Sequence, residues 1–438
     1  MKRFAGWMVL AAIAIVAVIA WPFIGAGRVR ANYMAPAPVS ADYKYRDATV
    51  AFYEKRIKRD PVDQISAALL ASQYMQRYRE NSDVDDITRS IAQAKRALIL
   101  QPQNNGGADS ILASAYTALH KFRIALTYET AAYAEIRGDS NAPAQMASLN
   151  MELGNYAAAQ HDLGIATNLK YTPTVMSVQG RYDELTGNLS NARALLKEAQ
   201  TETDAIPDSS AQGRAWYHFR AGELAFSAGA IDQAKQEERT AIAYFPNLEL
   251  AYRALARFCW ATRDWTCVID AAQKGAAIAP IPETLGYEAD AQNALGDPTG
   301  AKQTQALIFA IERLGNAYHL SDRLLSVYYS EHGVRLGDSL KIAQREVALR
   351  GDEVYAQDTL AWAAAMDGKW DIARKAAARA IRFDTQDPRI QYHAGMIALH
   401  FGDKEQAKVR LQKALALNPT FDLFYADKAR ATLGALHD

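Results

Sequence analysis

The sequence predicts an all-α chain of stacked helical hairpins, and three observations carry that expectation. Between Val354 and Pro419 the chain repeats itself at an offset of 34 residues, so that Ala361 matches Gly395, Gly368 matches Gly402, Ala373 matches Ala407 and Ala380 matches Ala414. Each copy reads as a helical run, a glycine-containing turn (Asp367-Gly368-Lys369-Trp370, then Gly402-Asp403-Lys404) and a second helical run. At this period that is the signature of a stacked helix–turn–helix array. Short side chains at matched places are what such an array needs, because two helices approach closely only there. Finally, no stretch sustains the period-two alternation of a half-buried strand, so no sheet is expected.

A chain of 438 residues, half of them apolar, is too long for one ordinary core but suits several domains or a repeat array. Lysine plus arginine balances aspartate plus glutamate, 49 against 49. That balance argues against nucleic acid as the main partner, since phosphate binding needs a basic stripe.

Taken in order, Lys2 and Arg3 precede Phe4–Ile24, 21 residues without a charge, which is enough to cross a bilayer. Trp7 and Trp21 sit near its ends as interfacial anchors, and Gly25-Ala26-Gly27 makes a poor cleavage site. Residues 1–24 therefore read as an uncleaved signal anchor. The alternative is a removed signal and a secreted, soluble chain. Lys2 and Arg3 favour a cytoplasmic amino terminus, although Arg28 and Arg30 follow the span closely. The bulk of the chain is then expected outside the cytoplasm. Residues 25–47, with Pro36 and Pro38, read as a flexible stalk.

From there to 419 the pattern is helical. Ile65 to Tyr78 and Val84 to Leu100 make a first hairpin closed by Pro102. His120, Gly154 and Gly187 mark successive turns, with Gly180 in a small-residue position. An irregular loop, Thr201 to Gly213, stretches the next interval before Gly229. Pro246 and Pro280 then end second helices, where proline stops a helix. Gly296 and Gly333 mark further turns, the latter after a long helix around Gln305 to Leu314. About ten hairpins result, and residues 420–438 are left as a capping helix over the last stacking face.

Gly395, Gly402, Ala407, Ala414 and Pro419 stand where the tetratricopeptide repeat has its small residue, turn glycine, paired alanines and closing proline. The chain resembles that family over roughly residues 60–436, with departures at Cys259, Gln292 and Thr385. The resemblance implies a right-handed superhelix whose first helices line a concave groove that binds peptides or protein segments.

No metalloprotease, phosphate-loop, dinucleotide or nucleophile-elbow motif is present in the sequence. The chain is accordingly read as non-catalytic, without cofactor or metal. The rival is an enzyme, or a substrate-holding subunit, with acidic residues assembled across the groove. His393 and His400 share a helix face and read as packing and surface residues. Cys259 and Cys267 flank the turn Thr262-Arg263-Asp264, where antiparallel helices either bring them within bonding reach or leave two small buried thiols.

Positions i, i+3, i+7 and i+10 of each first helix face the groove. Counted from the turns, they include Trp216, Phe219 and Phe226 of one hairpin and Arg253, Arg257 and Trp260 of the next. Tryptophan, phenylalanine and arginine dominate binding hot spots, so these six are the candidate partner-binding residues. The competing reading packs the aromatics between neighbouring hairpins. The expected partner is a protein or peptide, with self-association through an open end as an elaboration.

Overall fold

A computed structural model of the chain describes residues 39–315 and 322–436. The expected membrane span at 1–24, and the stalk as far as residue 38, lie outside the described residues. Among the described residues no helix is long and apolar enough to cross a membrane.

Those residues form 22 α-helices, a short 3-10 turn (Asp42–Tyr45) and one isolated bridge, with no strand. A leading helix α1 (Arg46–Arg59) is followed by α2 and α3 (Gln64–Asn81, Val84–Leu100), the first hairpin. The second is α4 and α5 (Gly106–Ala118, Phe122–Glu135), the third α6 and α7 (Asn141–Glu152, Tyr156–Leu169). Then come α8 and α9 (Pro173–Leu185, Leu189–Ala205), α10 and α11 (Ala211–Ser227, Ile231–Tyr244), and α12 and α13 (Glu249–Ala261, Trp265–Ile278). The seventh and eighth are α14 and α15 (Pro282–Ala294, Pro298–Gly315) and α16 and α17 (Asp322–Glu331, Leu336–Arg350). The last two are α18 and α19 (Val354–Met366, Trp370–Ala380) and α20 and α21 (Pro388–His400, Lys404–Leu417), before the closing α22 (Tyr425–Ala435). The ten hairpins match the number the repeat predicts.

Each first helix ends the same way. In the second to tenth hairpins a backbone N–H just past the turn reaches back five residues to a helix carbonyl, as Asn155 does to Asn150 and Asp403 to Ala398. That closure requires a left-handed residue. All ten turns have one, seven times glycine and otherwise Ser82, His120 and Arg263.

Within a hairpin, a short residue of the first helix receives a longer one from the second helix 16 positions on. A methyl group added at Gly180 would lie 2.3 Å from Leu196, at Gly222 2.3 Å from Glu238, and at Gly395 3.0 Å from Leu411. The slot that holds Leu196 and Leu411 thus holds carboxyls at Glu238 and, by the same spacing, Glu129. Both Glu238 oxygens and one of Glu129 are buried without a hydrogen-bond partner. Burial pushes both carboxyls up, Glu129 to about 7.

Two expectations need correction. The loop at Thr201–Gly213 is shorter than expected, because α9 runs on to Ala205 and α10 starts at Ala211. The described end of the stalk, residues 39–47, is folded rather than free. Ser40 exchanges backbone hydrogen bonds with Ser209 and Ala211 (3.0 and 3.2 Å), and the Tyr43 ring packs edge-on against Phe245 at 5.1 Å. Arg46 then pairs with Glu80 at 2.9 Å.

Successive first helices pack on one another and so form the inner face of the array. The array winds until it meets itself. The Tyr156 hydroxyl, just past the third turn, accepts a hydrogen bond from the Val354 amide (3.2 Å), and Arg350 pairs with Glu152. At the fourth turn Thr385 donates to the Leu185 carbonyl (2.7 Å), and at the fifth Asn418 donates to that of Phe226 (2.7 Å). Beside the sixth, Arg263 pairs with Asp427 of α22 at 2.6 Å. These rungs join each turn to the chain five to six hairpins further on.

Two outcomes are expected. A carboxyl whose folded value lies above its unfolded one favours folding fully below the unfolded value and loses that contribution as pH rises through the folded one. Stability should therefore fall between pH 4.5 and about 7 on account of Glu129, by at most about 3 kcal/mol. Denaturant titrations should show Glu129→Gln flattening that slope. Gly154→Ala meets both a φ of +73° and backbone of Asp352 at 2.6 Å. It should loosen the third rung, lowering the melting temperature and enlarging the radius of gyration in small-angle scattering while helix content holds.

Candidate functional site

Closure of the array turns the expected groove into a cavity of about 480 Å³ on the superhelix axis. One wall comes from the first helices α6, α8, α10, α12 and α14, the other from α16, α18, α20 and Phe421. Trp216, Phe219, Phe226, Arg253 and Arg257 line it. They are not equally available to a ligand. Phe226 is buried and stacked on Phe258 at 4.4 Å, with the Arg257 guanidinium 5.0 Å from the Phe226 ring. Trp216 and Phe219 are half-buried.

Trp260 does not line the cavity. It is fully buried, its indole N–H donates to Asp290 (2.8 Å), and it packs on Tyr287 (4.9 Å) and Phe424 (5.3 Å). Its position on α12 fits the groove spacing, but α22 folds over that end and takes it as a core residue. Cys259 and Cys267 are joined in a disulfide across the sixth turn. His393 and His400 go to different partners: His393 stacks on Trp362 and pairs with Asp358 (3.0 Å), and His400 stacks on Trp370.

The wall is a circuit of alternating charge. Glu184 pairs with Arg181 (2.9 Å) and Arg220 (2.6 Å), Glu223 with Arg257 (2.9 Å), and Arg253 with Glu249 (3.4 Å) and Glu283 (3.7 Å). Most of these pairs tie one hairpin to the next. Burial pushes Glu184 up, but Arg181 and Arg220 outweigh it and hold the carboxyl below its usual range. Arg253 and its neighbours do the same for Glu283. On the opposite wall Arg389 lies 3.1 Å from Glu331 and 3.7 Å from Asp422. Burial pushes Glu331 up to about 8, against the pull of Arg389.

Arg323 differs from the other arginines that line the cavity. Among the described residues it has neither ion pair nor hydrogen bond and lies 5.8 Å from the Tyr355 ring, which Arg181 approaches to 5.1 Å. Arg181 and Glu184 stand at groove spacing on α8, the first helix before the aromatic hairpin. Arg323, Tyr355 and Arg389 stand 10, 13 and 13 residues before Gly333, Gly368 and Gly402, the same spacing that puts Phe219 and Trp216 before Gly229, so the repeat marks them too; what closure adds is that they face the first wall, with Glu331 beside them.

No protein-family model matches the chain, and no curated protein matches it. Among solved structures it is similar to the APC/C hetero-tetramer Cut9–Hcn1, with 12% identity over 90% of this chain and 94% of that one, at a TM-score of 0.33. It is also similar to a tetratricopeptide repeat protein from Parabacteroides merdae, with 15% identity over 61% of this chain and 99% of that one, at a TM-score of 0.34.

The geometry separates two cavity residues by what they hold. Arg257→Ala leaves Glu223 unpaired and uncovers Phe226 and Phe258, so it should cost about 2 kcal/mol. Trp216→Ala should cost under about 1 kcal/mol. Parallel thermal melts check the difference.

Proposed function

We propose that the chain is a membrane-anchored, non-catalytic scaffold that holds a short extended segment of a protein partner in its axial cavity. The observation that carries this reading is the pairing of half-buried Trp216 and Phe219 with the unpaired Arg323 on one cavity. Aromatics there offer wide contact at small entropic cost, and a guanidinium with no hydrogen bond or ion pair of its own, its charge felt only at longer range by Glu152 and Glu353, can fork onto a carboxylate or a backbone carbonyl. The cavity measures about 480 Å³. One turn of helix with its side chains fills about 400–600 Å³, so the space takes no more than a single turn and suits a few residues of extended chain. Binding is passive: the ion-paired wall is preformed, and tethering at the bilayer raises the partner's effective concentration.

The uncharged run Phe4–Ile24 supports the anchor. The Cys259–Cys267 bridge supports an oxidising compartment outside the cytoplasm. A photoreactive residue in place of Trp216 should crosslink one extended segment in native membranes, and Arg323→Ala should cut the yield on the order of tenfold with the melting temperature held. Crosslinking that is absent at 216 but present on the outer surface sinks the cavity reading.

A second reading has one observation behind it. Glu331, raised to about 8 in a recessed space with the Asp358–His393 pair on the same lining, suits a proton donor. Glu331→Gln discriminates: partner crosslinking retained with no change in the captured partner supports the scaffold. A covalent change in the partner that this substitution abolishes supports an enzyme.

A further inference from the structure

Among the described residues the four most exposed large apolar side chains are Ile99 (78%), Val62 (71%), Tyr45 (70%) and Ile65 (62%), all before residue 100. Three of them gather at one end of the first hairpin. Arg96 of α3 donates to the Pro61 carbonyl, placing Ile99, one helical turn on, beside the loop that carries Val62 and leads to Ile65.

Helix α1 adjoins this patch and is two-faced. Its inner stripe, Val50 and Ile57, is buried in a cluster with Leu70 and Tyr74 of α2. Its outer stripe, Tyr45, Ala48, Phe52, Lys55 and Arg59, recurs at helical spacing and is exposed throughout. Lys55, Lys58 and Arg59 have no ion-pair partner among the described residues, while Arg56 pairs with Asp63 at 3.0 Å. Of the exposed acids nearby, Asp47 pairs with Arg77, Glu54 accepts from Tyr74, and Asp60 accepts from the Val62 amide.

We propose that this face, the outer stripe of α1 with Val62, Ile65 and Ile99, rests on a bilayer surface bearing anionic headgroups. Aromatic and aliphatic side chains beside unpaired lysine and arginine are what an interfacial helix presents to such a surface. The chain outside the structure makes the approach short. Fourteen residues, 25–38, separate the uncharged run from the described chain, a reach of at most about 50 Å. The proposal deepens the membrane-anchored reading above and rests on it for this proximity. It assigns the array an orientation, lying along the bilayer by its first hairpin.

The test uses the full chain carrying Ala48→Cys and an environment-sensitive fluorophore on that thiol, the native cysteines being paired. The protein is placed in detergent, in phosphatidylcholine nanodiscs and in nanodiscs enriched in phosphatidylglycerol. Emission should shift to the blue and rise about twofold or more in the anionic discs. High salt or the triple substitution K55S/K58S/R59S should reverse it. Equal emission in all three media overturns the proposal, as does a rise in detergent that grows with protein concentration, which marks a second copy as the occupant. Co-elution with nanodiscs reports separately on the anchor. Should the chain elute free of lipid, the same labelled protein is titrated with anionic vesicles: a salt-sensitive rise supports docking without the anchor, and no rise overturns it.

Discussion

Everything in this molecule depends on how closely the two helices of each hairpin can lie. The distance is set where a short side chain on the first helix faces a longer one on the second, as Gly180 faces Leu196 and Gly395 faces Leu411. Protein interiors are close-packed, so a larger residue on the first helix would force the helices apart and tilt every later hairpin. The left-handed turn serves the same end, because it reverses the chain in three or four residues and leaves little freedom in the angle at which the second helix returns.

Repeated ten times, that constraint produces curvature, and here the curvature is tight enough for the chain to touch itself. The seam is made largely of side chains bonding to backbone: Thr385 to the Leu185 carbonyl, Asn418 to that of Phe226, and the Val354 amide to the Tyr156 hydroxyl. Carbonyls near helix C-termini have spare accepting capacity, and the seam uses it: Asn418 adds a hydrogen bond to the Phe226 carbonyl, which the Gly229 amide already reaches within the repeat. The price is burial of charge along the axis, offset by the arginine–glutamate circuit that links neighbouring first helices.

The hairpins were legible because their signals are local. Turn glycines, small residues at a 34-residue beat and prolines after second helices each act within one hairpin. Even the non-glycine turns at His120 and Arg263 were found by counting between clearer neighbours. The cavity was legible by halves. Helical spacing brings Trp216, Phe219 and Arg253 to the inner face, but it is blind to a later segment covering an earlier one. Trp260 satisfies the spacing and is nonetheless core, because Phe424 closes over it. Arg323 and Tyr355 satisfy the spacing as well, but that they face the first wall across one cavity rests on distant contacts such as Tyr156 with Val354, which no periodicity encodes. The folded end of the stalk was hidden for the same reason: Ser40 is ordered by Ser209, not by its neighbours.

The seam also bears on how such a chain can change its length. An open solenoid tolerates the gain or loss of a unit, since each touches only its neighbours. Here Asn418 meets Phe226, Thr385 meets Leu185 and Val354 meets Tyr156 as a set. A hairpin duplicated between the sixth and eighth would displace all three at once, like a zip started one tooth out. Growth is free only at the outer ends, and the interior count is held by geometry.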